Sequence, residues 1–131
     1  MPLYVDKLDA GIVNQEGNPV KPYKVYTALL TQTGTDVPVP TVLENTLFDN
    51  LFFEYENVGS YLLSGVDYPA LFKNNKTVVF IGNSYPSTSN IYYNTAYPAD
   101  EGSIRINTFI DGVLSNNATG DFVPIEIRVY E

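Results

Sequence analysis

Period-two patterning runs the length of this chain, and helical patterning is nearly absent from it. The segment Ile125 to Glu131, IEIRVYE, sends Ile125, Ile127 and Val129 to one side and Glu126, Arg128 and Tyr130 to the other. Because successive side chains of a strand point to opposite faces, that order marks a strand with one buried and one wet face. Ser103 to Phe109 repeats it, with Ile104, Ile106 and Thr108 set against Arg105, Asn107 and Phe109. So does NLFFEYE at Asn50 to Glu56, where Leu51, Phe53 and Tyr55 oppose Phe52, Glu54 and Glu56. A turn at Asn57-Val58-Gly59 and a return strand to Ser64 make this segment a hairpin.

The other strand signals are less one-sided. Tyr23 to Thr31 has Tyr23, Val25, Thr27, Leu29 and Thr31 on one face and Lys24, Tyr26, Ala28 and Leu30 on the other, so both faces are half-apolar. Such a strand is either central and covered on both sides, or it turns one face to a second copy of the protein. Val39 to Glu44 follows two prolines, Pro38 and Pro40, which suit an edge or a strand start. Lys76 to Gly82, KTVVFIG, is apolar on both faces and reads as a central strand. Ser89 to Asn94 is a tyrosine-rich strand. Ser64 to Lys76 reads as a loop with room for one helical turn at Pro69 to Phe72. About eight short strands with turn chemistry between them predict an all-β fold, an antiparallel, jelly-roll-like β-sandwich. Parallel β/α winding would need intervening helices of about ten residues or more, and the pattern offers none. The sandwich is expected over 23–131, preceded by an extension at 1–22 whose Leu3-Tyr4-Val5 can form one short strand; the extension is either a frayed terminus or an arm that orders only against another subunit.

Length and charge narrow the function. A chain of 131 residues makes one domain with an ordinary core. Charged residues are 17% of it, against about a quarter in typical domains, so Asn, Ser, Thr and Tyr must cover much of the surface. The net charge of −8, with seven scattered basic residues, argues against nucleic-acid and anionic-membrane partners. No apolar run approaches a membrane span, and no signal peptide is visible.

Chemistry is harder to place. With no histidine and no cysteine, the common triads, thiolate catalysis and the usual zinc ligand sets are excluded. Glycine-rich phosphate cradles and the nucleophile elbow are missing as well. The remaining acid pair, Glu54 and Glu56, shares a strand face and reads as solvated. Asp100-Glu101-Gly102 reads as a turn. Asp111-Gly112 and Asn116-Asn117 through Asp121 offer oxygens but not the spacing of a calcium loop. No catalytic residue, cofactor or metal is therefore expected.

What remains is recognition. Tyr85, Tyr92, Tyr93 and Tyr97 cluster in YPSTSNIYYNTAYPAD among Ser, Thr and Asn, a mixture suited to a partner surface or a sugar face. Leu3, Tyr4, Val5 and Tyr26 join them as candidate subunit contacts.

YKVYTALLTQTGTD, PTVLENTL, KTVVFIG, SIRINTFIDGVLSNN and the closing PIEIRVYE together resemble a domain family of structural proteins in tailed bacteriophages and their prophages. The likeness covers roughly residues 22 to 131, and its first and last blocks carry it. In the middle, where such relatives show a Gly- and Thr-rich hairpin, this chain has LFDNLFFEYENVGSYLLSG. The resemblance implies a non-enzymatic virion protein, made in the host cytoplasm. It would be a capsid decoration, head fibre or tail appendage that packs against copies of itself, a trimer by preference, and against capsid or tail proteins. A host surface glycan is the alternative partner.

Overall fold

The computed structural model describes residues 21–47, 49–83, 90–116 and 122–131. Among them are nine strands and no helix. In chain order these are β1 (Tyr23–Thr31), β2 (Val39–Asn45), β3 (Leu51–Asn57), β4 (Ser60–Gly65), β5 (Thr77–Ile81), β6 (Tyr92–Asp100), β7 (Ser103–Ile110), β8 (Val113–Leu114) and β9 (Val123–Tyr130). They form two antiparallel sheets, one ordered β2-β1-β9-β5 and the other β3-β4-β7-β6, with the two-residue β8 added beside β7. The molecule is an antiparallel β-sandwich.

Alternation decides which side chains enter it. In the first sheet Tyr26, Ala28 and Leu30 of β1 sit opposite Ile127, Ile125 and Val123 of β9, and all six are buried. Phe53 of β3, Tyr61 and Leu63 of β4, and Ile104 and Ile106 of β7 come from the second sheet to meet them. Every strand read from a clean alternation has its faces assigned as expected. The acids and bases of the opposite set, such as Glu126 and Arg128, point away from this core.

The two half-apolar strands resolve differently. Tyr23–Thr31 is internal to its sheet, paired with β2 on one side and β9 on the other. Its odd face is covered by long side chains rather than by a further layer. The Tyr23 ring packs at 5.1 Å from that of Tyr130, and the Arg128 guanidinium lies 4.8 Å over it. KTVVFIG, by contrast, is not central. β5 ends the sheet and pairs with β9 alone. Val79 and Ile81 pack on the core while Val78 and Phe80 face out, and Arg128 also stands 5.1 Å over the Phe80 ring. Apolar residues on both faces therefore reflect a cation–π roof, not burial on both sides. β2 is the opposite edge, with Pro40 inside it and Pro38 just before it, where an edge tolerates them.

No helical turn forms at Pro69 to Phe72. The backbone donors there are committed to tertiary partners. Asp67 N–H and Tyr68 N–H donate to the Asp49 carboxylate at 3.0 and 2.9 Å, and Phe72 N–H donates to Glu101 O at 2.8 Å.

Tyr26 requires a correction. It lies on the inner face of β1 and is 1% exposed, so it belongs to the core and not to a subunit contact. Its hydroxyl has no hydrogen-bond partner among the described residues, and burial pushes its pKa up to about 12. A partnerless buried hydroxyl costs desolvation without return. Tyr26→Phe is expected to raise the stability at neutral pH by about 1 kcal/mol, read as a higher urea midpoint at unchanged slope. A lower midpoint would mean that the hydroxyl has a bonding partner.

Candidate functional site

Among the described residues, most of the acidic side chains singled out in the sequence have structural partners. Glu56 on the outer face of β3 is ion-paired with Arg105 of β7, which also donates to Ser60 Oγ at 3.0 Å. Glu54 stands exposed on the same face. The pair is thus one neutralised and one solvated carboxylate. Asp100 Oδ1 accepts from Gly102 N–H at 2.8 Å and from Ser103 Oγ at 3.0 Å. Those bonds, the Gly102 amide above all, hold its carboxyl below the usual carboxylate range. Asp111 Oδ1 accepts from Ile91 N–H at 2.8 Å, and Asn116 Oδ1 from Gly59 N–H at 2.9 Å and the Tyr61 hydroxyl at 3.2 Å. These oxygens tie loops together. Among the described residues no group of three or more His, Cys, Asp or Glu is placed to hold a metal. Asn117 through Asp121 lie outside the described residues.

The described tyrosines of that stretch do not share one face. Tyr93 and Tyr97 are on the outer face of β6, opposite Phe109 and Arg105 of β7. Tyr93 stacks on Phe109, centroids 4.7 Å apart and planes 11° from parallel, while Tyr97 is exposed. Tyr92, opposite Ile110, alternates to the inner face and is half-buried. Leu3, Tyr4, Val5 and Tyr85 lie outside the described residues.

A feature that the sequence analysis passed over is the chemical difference between the two ends of the sandwich. The registers fix which loops meet. Thr31 of β1, Val39 of β2, Val123 of β9 and Ile81 of β5 finish or begin their strands at one end of the first sheet. Asn94 brings the start of β6 there, its N–H donating to Asn83 Oδ1 and its Nδ2 to Gly82 O, both at 2.9 Å. Tyr92 pairs with Ile110 at the end of β7, and Ile110 in turn with Val113 of β8. The Val58-Gly59 hairpin reaches the same place through Thr108 N–H, which donates to Gly59 O at 2.8 Å.

At this end Val37, Val39, Val58, Ile91, Val113, Leu114 and Phe122 are all exposed, with Ile91, Val113 and Phe122 at 67%, 64% and 62%. The described residues of its loops include Asp36 and Asp111 but no lysine or arginine. Loops are ordinarily the polar part of a β-protein, so large apolar side chains at their tips need a reason. A patch of this composition, apolar and short of charge, is what subunit contacts present. The opposite end is charged, with Lys21 paired to Glu44 at 3.3 Å and with Lys73, Lys76, Asp100 and Glu101 around it. The signal in the sequence was Val113-Leu114 directly after Asp111-Gly112, and Phe122 alone in a loop, apolar residues where turn chemistry asks for polar ones.

No protein family, curated protein or solved structure matches this chain.

Proposed function

We propose that this chain is a non-catalytic structural protein of a tailed-bacteriophage virion, a β-sandwich that packs against copies of itself and against neighbouring capsid or tail proteins. The observation that carries the reading is the apolar loop end with Ile91, Val113 and Phe122 in solvent. An isolated domain gains nothing from such an end, and a repeated assembly buries it. The resemblance of the first and last strand blocks to virion structural domains points the same way, as does a surface short of charge.

Light scattering on the purified protein tests it. The wild type is expected to run as a closed oligomer, a trimer by preference. Ile91→Glu with Phe122→Glu is expected to run as a monomer with an unchanged far-ultraviolet spectrum, since neither side chain supports the core. A wild type that stays monomeric at every concentration and is not taken up into particles would contradict the proposal.

Recognition of a host glycan is the second reading. It is favoured by the exposed ring of Tyr97 opposite Arg105. Glycan-array binding that disappears in Tyr97→Ala would support it, and an array without signal would dismiss it.

A further inference from the structure

The two flanks of the sandwich are finished differently. On one, β5 ends the first sheet and is tied across to the second, since Asn94 of β6 donates through Nδ2 to Gly82 O just past β5. On the other, β2 ends the same sheet, and among the described residues no strand lies beyond it. The second sheet ends on that flank in β3, which carries the charges of Glu54 and Glu56. β2 has no charged side chain from Val37 through Leu43, and its one acid, Glu44, is paired with Lys21. Sheets ordinarily blunt an open edge with charge, because its outward N–H and C=O groups accept any extended chain. Pro40 removes one donor from β2, and the strand is otherwise unguarded.

β2 is also poorly covered. Val42 stands opposite buried Ala28 of β1, which puts it on the core face, yet it is 49% exposed. Val39 and Leu43 are each 60% exposed. An edge strand with bare apolar side chains, one of them on its core face, is short of a neighbour.

Where the chain enters decides which neighbour. Lys21, the first described residue, holds its ammonium 3.3 Å from Glu44 Oε2, and Thr46 N–H donates to Val25 O at 2.8 Å, so the chain reaches β1 past the Glu44 end of β2. Residues 1–20, which lie outside the described residues, are therefore tethered beside this edge. They contain Leu3-Tyr4-Val5, joined to Lys21 through the fifteen residues 6–20 with Gly11, Gly17 and Pro19 among them. A flexible linker of that length spans about 20 Å on average, close to the length of about 23 Å for a seven-residue strand such as β2. A segment tethered at that range has an effective concentration of about 1 mM, above that of separate copies in dilute solution. Mass action therefore favours the chain's own segment over the edge of a second copy.

We infer that Leu3-Tyr4-Val5 adds a fifth strand to the first sheet by pairing with the free edge of β2 in the same chain. Alternation then lays Leu3 and Val5 on the core side against Val42, and Tyr4 on the outer side beside Thr41. The pairing is intramolecular and holds whether or not copies meet at the apolar loop end.

The chain has no cysteine, so Asp6→Cys places a single spin label next to the segment in the intact protein. In dilute solution the label is expected to broaden the amide resonances of residues 39–45 most strongly, with the effect falling off across β1 and β9 to β5. In a mixture where only the unlabelled chains are observed, those resonances are expected to stay sharp. Tyr4→Pro, which removes a ladder donor, is expected to speed hydrogen exchange of the β2 amides roughly tenfold and to leave those of β9 unchanged. No broadening on β2, equal broadening in the mixture (which would make another copy the occupant), or β2 amides that exchange alike in Tyr4→Pro and the wild type would each overturn the inference.

Discussion

Gly59→Ala is expected to destabilise the protein by about 4 kcal/mol, a large share of the about 5–15 kcal/mol by which natural domains are stable. Gly59 has a φ of +70°, in the left-handed region where a side chain is strained. Strain alone would cost about 1–2 kcal/mol. The larger part is collision. A Cβ here would lie 2.6 Å from Ser115 N and 2.7 Å from Thr108 O, both backbone atoms that cannot swing aside. They are fixed because Thr108 N–H donates to Gly59 O at 2.8 Å and Ser115 N–H to Thr108 O at 2.9 Å. Gly59 N–H also donates to Asn116 Oδ1 at 2.9 Å. The turn between β3 and β4 is thereby locked onto β7 and the segment after β8. Gly34 is the control. Its φ is +58°, but nothing lies within 4 Å of its missing side chain, so Gly34→Ala should cost only about 1 kcal/mol. Urea unfolding of the two variants separates strain from collision. Equal losses would mean that the backbone around Gly59 yields.

That turn also shows which parts of the architecture could be read in advance. Asn57-Val58-Gly59 announces a hairpin by its chemistry, and clean alternation assigns the faces of β3, β7 and β9, because period two leaves no second way to bury Ile104, Ile106, Ile125 and Ile127. What lies across the turn was not legible. The fit of Gly59 against Thr108 and Ser115 brings together residues about fifty positions apart in the chain, and no local pattern encodes it. Position within a sheet was equally hidden. KTVVFIG reads as central because its outer face is apolar, yet that face is roofed by one arginine from the neighbouring strand. Composition cannot tell a ring under a guanidinium from a ring under another sheet. Tyr26 misleads in the same way, since a tyrosine on a strand with two half-apolar faces has no inward or outward signature, and the register with Ile127 decides it. Of the candidate contact residues, Tyr93 and Tyr97 are on an outer face and Tyr92 on an inner one. The exposed apolar loop tips were visible in the sequence one at a time. Only the registers showed that they share an end.

Alkali should unfold this protein, while pH values near neutral should leave it unmoved. There is no histidine, so no side chain with an ordinary pKa titrates between about pH 6 and 8. Tyr26 and Tyr61, at 1% and 0% exposure, have pKa values pushed from 10.0 to about 12 by burial. Below pH 10 both rings are protonated whether the chain is folded or not, and their burial carries no pH dependence. Between pH 10 and 12 the unfolded chain releases both protons and the native state keeps them. Each ring then withdraws about 1.4 kcal/mol of stability per pH unit. Together they remove on the order of 5 kcal/mol by pH 12, comparable to the whole stability of a small domain. Urea midpoints measured at steps from pH 7 to 12 should stay level and then fall. Tyr26→Phe and Tyr61→Phe should each remove about half of the decline, and they should differ at neutral pH. The Tyr61 hydroxyl donates to Asn116 Oδ1 at 3.2 Å, so its loss lowers the starting stability, whereas the Tyr26 hydroxyl gives up nothing. A stability that held level through pH 12 would mean that both phenols ionise as readily in the native state as in the unfolded chain, and would contradict their burial in the core.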